Sequence, residues 1–324
     1  MMTLWGRVSA QTDLITDIPS RQTVSLNGRW QYIIDPYETG FLDYRYKEMA
    51  RSDRNAYWNS DVPSSKTDKI EFGYIDKYTL MVPGDWNHQD PKFQYYEGTV
   101  WYKKSFDYTK RQPGDRVFLY FGAVNYRADV YLNGVKLGMH KGGFTPFNFA
   151  VPDSLLRSSG NYLVVRVDNK RYTDEVPTVN TDWWNYGGIT RDVRLVELPS
   201  TFIRDFVLQA SSPVALTGCI RLSGSSLPSE AIVDIPELGI HQTFPVTGDS
   251  VAVRLSVPGV QLWSPSSPKR YKVIITAGAD KVSDKIGFRT IEARGSQLLL
   301  NGKPIFMRGI CIHEEIPQEG RRAY

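Results

Sequence analysis

Cysteine is nearly absent. The 324 residues contain two, Cys219 and Cys311, far apart and outside any metal-ligand spacing. That excludes a disulfide scaffold and a thiolate zinc site, and both read as buried free thiols with no bearing on redox compartment. Histidine is scarce as well, and His88, His140 and His241 are not spaced as metal ligands. No apolar run approaches the ~18 residues of a membrane span, so a membrane partner is not expected. No block of like charge occurs in a chain of net charge +4, which leaves nucleic-acid binding without support. Helical periodicity, internal repeats and low-complexity tracts are missing too.

Aromatic residues, by contrast, abound: 19 Tyr, 14 Phe and 8 Trp. Trp and Tyr combine a flat apolar face with a polar edge, which suits sandwich cores and sugar stacking alike. Hydrophobic residues at 41% and charged residues at 23% are ordinary for a soluble globular protein. The N-terminal MMTLWGRVSAQTD carries the small-residue pattern Val8-Ser9-Ala10. It reads either as the remnant of an export leader, implying a periplasmic or secreted protein, or as a disordered arm, which leaves the cytoplasm open.

Short β-rich runs recur between turn signals: RVFLYFGAV, RADVYLN, NYLVVRVDN, RDVRLVEL, SVAVRLSV and YKVIITAG. Their alternation and spacing of roughly 8–12 residues predict antiparallel sandwiches, not βαβ units. Asn-Gly accepts the positive φ angles of a type I′ turn, so VYLNGVKLG and LLLNGKPIFM read as tight hairpins. The predicted fold class is therefore all-β. Residues 1–20 form the leader remnant or arm, and 21–199 an aromatic-rich jelly-roll sandwich. Residues 200–290 form a smaller immunoglobulin-like sandwich. Within the first unit, Glu38 to Lys77 lacks alternation and reads as a flap with a short helix around Tyr44–Ala50. From 291 to 324 the pattern changes again. PIFMRGICIH is apolar with little alternation, as in a strand covered on both faces, and it reads as the opening of a further parallel α/β unit.

Seven segments together resemble glycoside hydrolase family 2, the β-galactosidases, β-glucuronidases and β-mannosidases. They are SLNGRWQYIIDP, VPGDWN, YYEGTVWYKKSF, ADVYLNGVKLGMHKGGFTPFNF, NTDWWNYGGITRDVRLVEL, LWSPSSPKRY and IGFRTIEARGSQLLLNGKPIFMRGICIHEE, in the family's order. The resemblance implies a jelly-roll sugar-binding domain, an immunoglobulin-like domain and a (β/α)8 barrel. A barrel needs about 200–250 residues, so residues 291–324 read as the start of a truncated one, and the chain as the front part of a retaining, exo-acting β-glycosidase. Its implied partner is a β-linked oligosaccharide or glycoside, with β-galactosidase-like specificity read first and glucuronide or mannoside as alternatives. The family also implies a homo-oligomer, and a Mg²⁺ or Na⁺ ion in the full-length enzyme, although no cofactor or metal site is identifiable in these residues.

Retaining hydrolysis needs two carboxyl groups about 5–5.5 Å apart. The resemblance places both as glutamates beyond this chain. Adjacent Glu314 and Glu315 point to opposite sides of an extended segment and cannot flank one bond. No catalytic residue is therefore expected here. The candidate binding residues are Asp182, Trp183 and His313. Asp182 reads either as a turn cap beside a buried Trp pair or as a carboxylate that accepts sugar hydroxyls; the resemblance favours the second. In a strand-like stretch one of Trp183 and Trp184 faces out, so Trp183 is the stacking candidate. Asn185 and Tyr186 read as braces, and Trp30, Trp86 and Trp101 as packing. His313 matches the family's RG-x-x-x-H-E pattern, whose Arg308 reads as a buried residue of the barrel floor. Two other classes compete: a free carbohydrate-binding module, supported by the aromatic surplus, and an adhesion protein of stacked sandwiches, which would require more similar domains.

Overall fold

β-Branched and aromatic residues suit a pleated, half-buried surface, and the runs rich in them form the strands of the protein. The computed structural model describes residues 13–59, 73–181, 183–311, 315–316 and 321–322. The first strands in chain order are β1 (Thr23–Ser25), β2 (Gly28–Ile34), β3 (Thr79–Val82), β4 (Gly84–Asp85), β5 (Thr99–Phe106) and β6 (Arg116–Phe121). They continue with β7 (Arg127–Leu132), β8 (Val135–Lys141), β9 (Phe147–Val151), β10 (Asn161–Asp168), β11 (Gly188–Ile189) and β12 (Val193–Leu198). One sheet has the order β1-β12-β6-β9 and the other β3-β2-β5-β10-β7-β8, with β4 and β11 as a short ribbon. Between the two large sheets lie Trp30, Tyr102, Leu119, Phe121, Val130, Phe147, Leu163 and Val165. This is the jelly-roll sandwich expected from the sequence. The Asn133-Gly134 pair, at φ 50° and 77°, closes the β7–β8 hairpin. Asn27-Gly28 instead carries the chain from one sheet to the other.

A second sandwich follows, from β13 (Phe202–Ser212), β14 (Ala215–Ser223), β15 (Glu230–Ile235), β16 (Ile240–Pro245), β17 (Ser250–Ser256), β18 (Tyr271–Ala277) and β19 (Asp280–Ile286). Its sheets, β13-β14-β17 and β16-β15-β18-β19, give the immunoglobulin-like arrangement. Alternation is clean here: Val251, Val253 and Leu255 of β17 point inward to meet Tyr271, Val273 and Ile275 of β18. One covered face per sheet is what such alternation encodes.

β10 breaks that rule, because nearly all of its residues are buried. The cause is the flap. Phe41, Ala56, Trp58 and Tyr74 pack on the outer face of the six-stranded sheet against Ile33, Trp101, Tyr131 and Val164, with Trp58 stacked on Tyr131 at 4.9 Å. Asp35 fixes the flap's root by accepting from Trp101 Nε1 (2.9 Å), Thr39 N (2.8 Å) and Gly40 N (3.0 Å). The helix expected around Tyr44–Ala50 does not form. Asp43 accepts from the Arg45 and Lys47 amides at 2.8 and 2.9 Å and Tyr46 takes φ 58°, so the chain closes a tight turn bridged from Leu42 to Glu48. A short acidic side chain that binds nearby amides competes with helix in this way.

Residues 13–20 are not a disordered arm. Ile15 and Ile18 are buried with Phe118, Val196, Leu198 and Phe202, where the two sandwiches meet. Arg21 is a rivet across this junction: Nη1 reaches Asp280 Oδ2 at 3.1 Å, Nε donates to the Thr16 carbonyl at 2.8 Å, and Nη2 donates to the Ile203 carbonyl. The Ile203 amide in turn donates to Asp280 at 2.8 Å.

Beyond the second sandwich, β20 (Ile291–Arg294), β21 (Gln297–Leu300) and β22 (Lys303–Ile305) make a small antiparallel sheet, with the expected hairpin at Asn301-Gly302. The apolar strand read over PIFMRGICIH is regular only through Ile305. Among the described residues, 306–311 have no strand partner, and Phe306 and Ile310 are exposed. Arg308, expected to be buried, is exposed for the same reason, and so is Cys311, while Cys219 is half-buried.

Removing one partner of a buried ion pair strands the other charge, so Asp280→Ala should cost about 3–5 kcal/mol of stability. The surface pair Arg294–Glu292 is a control whose loss should cost at most about 1 kcal/mol. Chemical denaturation of both variants checks this.

Candidate functional site

One end of the first sandwich gathers the loop 169–187 between β10 and β11, the loop 86–98 before β5, and the connections 122–126 and 142–146. Chain that enters a sandwich end must satisfy its own amides and carbonyls. Four buried asparagines do so here. Asn169 Nδ2 donates to the Asn185 carbonyl (2.7 Å), and Asn185 Nδ2 donates back to the Asn169 carbonyl. Asn125 Nδ2 donates to Asn185 Oδ1 (2.8 Å) and to the Tyr186 carbonyl (2.6 Å). Asn87 Nδ2 donates to the Phe93 carbonyl (2.9 Å), and its Oδ1 accepts from Gly187 N at 2.9 Å. Asn169 Oδ1 accepts from Gly98 N at 2.9 Å, which joins the two long loops.

The double glycine has a steric cause. A Cβ on Gly187 would lie 2.1 Å from Cζ2 of the buried Trp86, and Gly188 sits at φ 137° with its Cβ position 2.7 Å from the Gly84 carbonyl oxygen. Asn185 and Tyr186 are the buried braces that the sequence suggested, and Trp30, Trp86 and Trp101 are all core residues.

On this base stands the outer part of the loop. Arg171 meets Glu97 through two contacts, Nη2–Oε1 at 2.8 Å and Nε–Oε2 at 3.2 Å, and reaches Thr181 Oγ1 at 3.2 Å. Lys141 holds Glu175 on the other side. Trp183 is 42% exposed, whereas Trp184 is half-buried with its ring perpendicular to Tyr95 at 5.8 Å. Asp182 and His313 lie outside the described residues. Below the rim, His140 stacks on Phe147 at 4.2 Å, with Nε2 3.1 Å from Thr145 Oγ1. Burial holds its imidazole below the ordinary histidine pKa. Among the described residues no three metal-ligating side chains converge.

A polar rim with outward aromatic faces suits a hydroxyl-rich ligand. The opposite end of the sandwich has a groove of about 510 Å³, between β6, β8 and β9, but its lining includes no aromatic side chain. Sequence reasoning missed Tyr95, Asn87, Asn125, Asn169 and Arg171. Asn87 and Asn169 end the segments VPGDWN and NYLVVRVDN and Asn125 follows RVFLYFGAV, with no local pattern to mark them, and the Glu97–Arg171 pair spans 74 positions.

Comparison with known proteins agrees with this architecture. Residues 23–199 match the family model described as glycosyl hydrolases family 2, sugar binding domain. A β-glucuronidase of Paenibacillus borealis is 25% identical over 332 residues, covering 94% of this chain and 52% of the relative. A β-galactosidase of Thermoanaerobacter pseudethanolicus is 29% identical over 252 residues, covering 72% of this chain and 34% of the relative. The structure of a β-glucuronidase from an uncultured Clostridium superposes with a TM-score of 0.72 at 26% identity, covering 97% of this chain and 52% of that one. The chain thus spans about half the length of the first relative and a third of the second.

Gly187→Ala should cost roughly 1–3 kcal/mol, because Trp86 cannot retreat in a close-packed core. Gly248→Ala, with nothing within 4 Å of the new Cβ, should change stability by less than about 0.5 kcal/mol. Thermal unfolding compares them. His140 gives a pH signature. Its folded pKa is below the unfolded value near 6.5, so the unfolded state takes the proton first. Stability should be level above about pH 6.5 and decline below it until the folded form also protonates. His140→Phe, which keeps a ring on Phe147, should flatten that decline.

Proposed function

The chain belongs to glycosyl hydrolases family 2, and from that membership we propose that it forms the β-sandwich part of a β-glycosidase hydrolysing β-glucuronides. The observation that carries this reading is the match of residues 23–199 to the family's sugar-binding domain, with Trp183 exposed at the end of that sandwich. Fold alone does not fix a substrate. Glucuronide is read first because the β-glucuronidase structure aligns with 97% of the chain. That reverses the order expected from the sequence, where galactoside came first. Galactoside is the second reading, favoured by the 29% identity of the T. pseudethanolicus β-galactosidase.

In this reading the two catalytic carboxyl groups come from a barrel that follows the sandwiches, one as nucleophile and one as acid and base. The residues of this chain bind and orient. The Asp182 carboxylate accepts hydroxyl hydrogen bonds from the terminal sugar, and a charged acceptor makes them stronger than a neutral one would. Trp183 offers a stacking face beside it, and His313 donates to a hydroxyl from the barrel side.

The test is turnover of nitrophenyl β-D-glucuronide, β-D-galactoside and β-D-mannoside by the 324-residue chain and by the protein encoded by the whole reading frame. The longer protein should hydrolyse the glucuronide and the 324-residue chain none of the three. Preference for galactoside selects the second reading. Failure of both proteins on every glycoside, with polysaccharide binding by the shorter one, would sink the enzymatic reading in favour of a binding module. In the longer protein Asp182→Ala should lower kcat/KM roughly ten- to hundredfold, the range for losing a hydrogen bond to a charged group.

A further inference from the structure

Tyr95 is the most exposed aromatic of the loop 86–98. Its neighbours turn inward: Phe93 is fully buried, and Tyr96 is half-buried with its hydroxyl donating to the Thr99 carbonyl at 2.9 Å. Tyr95 between them is 75% exposed. The chain on either side of it is anchored. The Pro91–Phe93 turn before it is capped by Asp90, which accepts from Lys92 N at 3.1 Å. Glu97 after it is clamped by Arg171.

The same clamp ties Tyr95 to the other loop. Arg171 reaches Thr181 at 3.2 Å, two residues before Trp183, and the Tyr95 ring meets Trp184, the residue after Trp183, at 5.8 Å and 83°. The Tyr95 ring thus meets the residue next to the exposed Trp183, and the two loops that carry these aromatics are joined by a two-contact ion pair. An aromatic ring with only two side-chain torsions offers a flat apolar face at little entropic cost. The C–H face of a pyranose ring is its natural complement.

We propose that Tyr95, positioned by the Glu97–Arg171 clamp, forms with Trp183 a subsite for a second sugar ring: the pyranose to which the terminal sugar is β-linked. This inference rests on the reading of the 169–187 rim as sugar-binding. Tyr95 acts here by stacking, so its hydroxyl is dispensable. Arg171 is a positioning residue, since it acts by holding Tyr95 and Thr181 on the same rim.

The experiment uses the longer protein and two probes, methyl β-D-glucuronide and a disaccharide of glucuronate β-linked to a hexose. KM and kcat are measured for wild type, Tyr95→Ala, Tyr95→Phe and Arg171→Lys. Tyr95→Ala should raise KM for the disaccharide by about tenfold, the effect of one lost stacking contact, and leave the methyl glycoside within about twofold. Tyr95→Phe should behave as wild type, and Arg171→Lys should repeat the Tyr95→Ala pattern in weaker form. Equal changes for both probes, no change for either, or a lower melting temperature with an unaltered KM ratio would each overturn the proposal. Should galactosides be the better substrates, the same comparison is made with methyl β-D-galactoside and a β-galactosyl hexose. If the longer protein hydrolyses nothing, the enzymatic reading fails on its own. Calorimetric titration of the intact disaccharide into wild type and Tyr95→Ala then decides the subsite, a lost or unchanged affinity being read in the same way.

Discussion

An unsatisfied buried amide or carbonyl costs about 1–3 kcal/mol, and the candidate-site end of the first sandwich is built around avoiding that cost. The two ends of the loop 169–187, at Asn169 and at Asn185 to Gly187, lie inside the sandwich end, so their backbone is out of reach of water. Asn87, Asn125, Asn169 and Asn185 satisfy it, each at most 4% exposed. Asparagine suits this role because its amide presents a donor and an acceptor with the geometry of a peptide group. Replacing Asn87 or Asn169 by an apolar residue would strand more than one backbone group, and replacing Asn125 or Asn185 would strand one carbonyl and a side-chain amide of the network. The glycine pair is the steric counterpart: with Trp86 filling the space beneath, only a residue without Cβ can follow the asparagine network to β11.

The outer face of the six-stranded sheet meets the same constraint with charges. Arg166 lies opposite Trp101 on one neighbouring strand and Asp129 on the other, and the flap covers all three. Its guanidinium binds Asp129 at 3.0 Å and Glu38 at 2.9 Å and lies over the Phe41 ring at 4.2 Å. Burial alone would push the Asp129 carboxyl up, but Lys136, Arg127 and Arg166 outweigh it and hold the pKa below its ordinary value. Glu38 continues the chain of charges to Lys170 at 2.8 Å, at the root of the functional loop. The flap, the sheet and the loop therefore share one electrostatic network. An insertion far from the rim in sequence helps fix where the rim begins.

These networks tie the rim of the first sandwich to its core and to the flap. The interdomain rivet at Arg21 extends the same logic. It fixes the second sandwich against the first with one side chain that satisfies a carboxylate and two carbonyls.

The sequence by itself determined the two sandwiches, because alternation such as that of β17 and β18 encodes one covered face and one wet face. It also determined both Asn-Gly hairpins, since their positive φ angles are a local property, and it identified the Asp182–Gly188 stretch as the candidate loop. What it left undetermined depends on contacts between distant segments. Ile15 and Ile18 looked like part of a loose arm until a junction existed to bury them. The flap looked partly helical because nothing local reveals that Asp43 binds the amides ahead of it. Arg166 and Asp129 stand at outward positions that read as solvent-facing, and only the flap lying over them makes them a buried pair. Tyr95 and Arg171 carry no pattern at all; they became site residues when the tertiary structure brought loops 86–98 and 169–187 together. Local periodicity reports which face of an element is covered, whereas the identity of the cover is settled by packing across the whole chain.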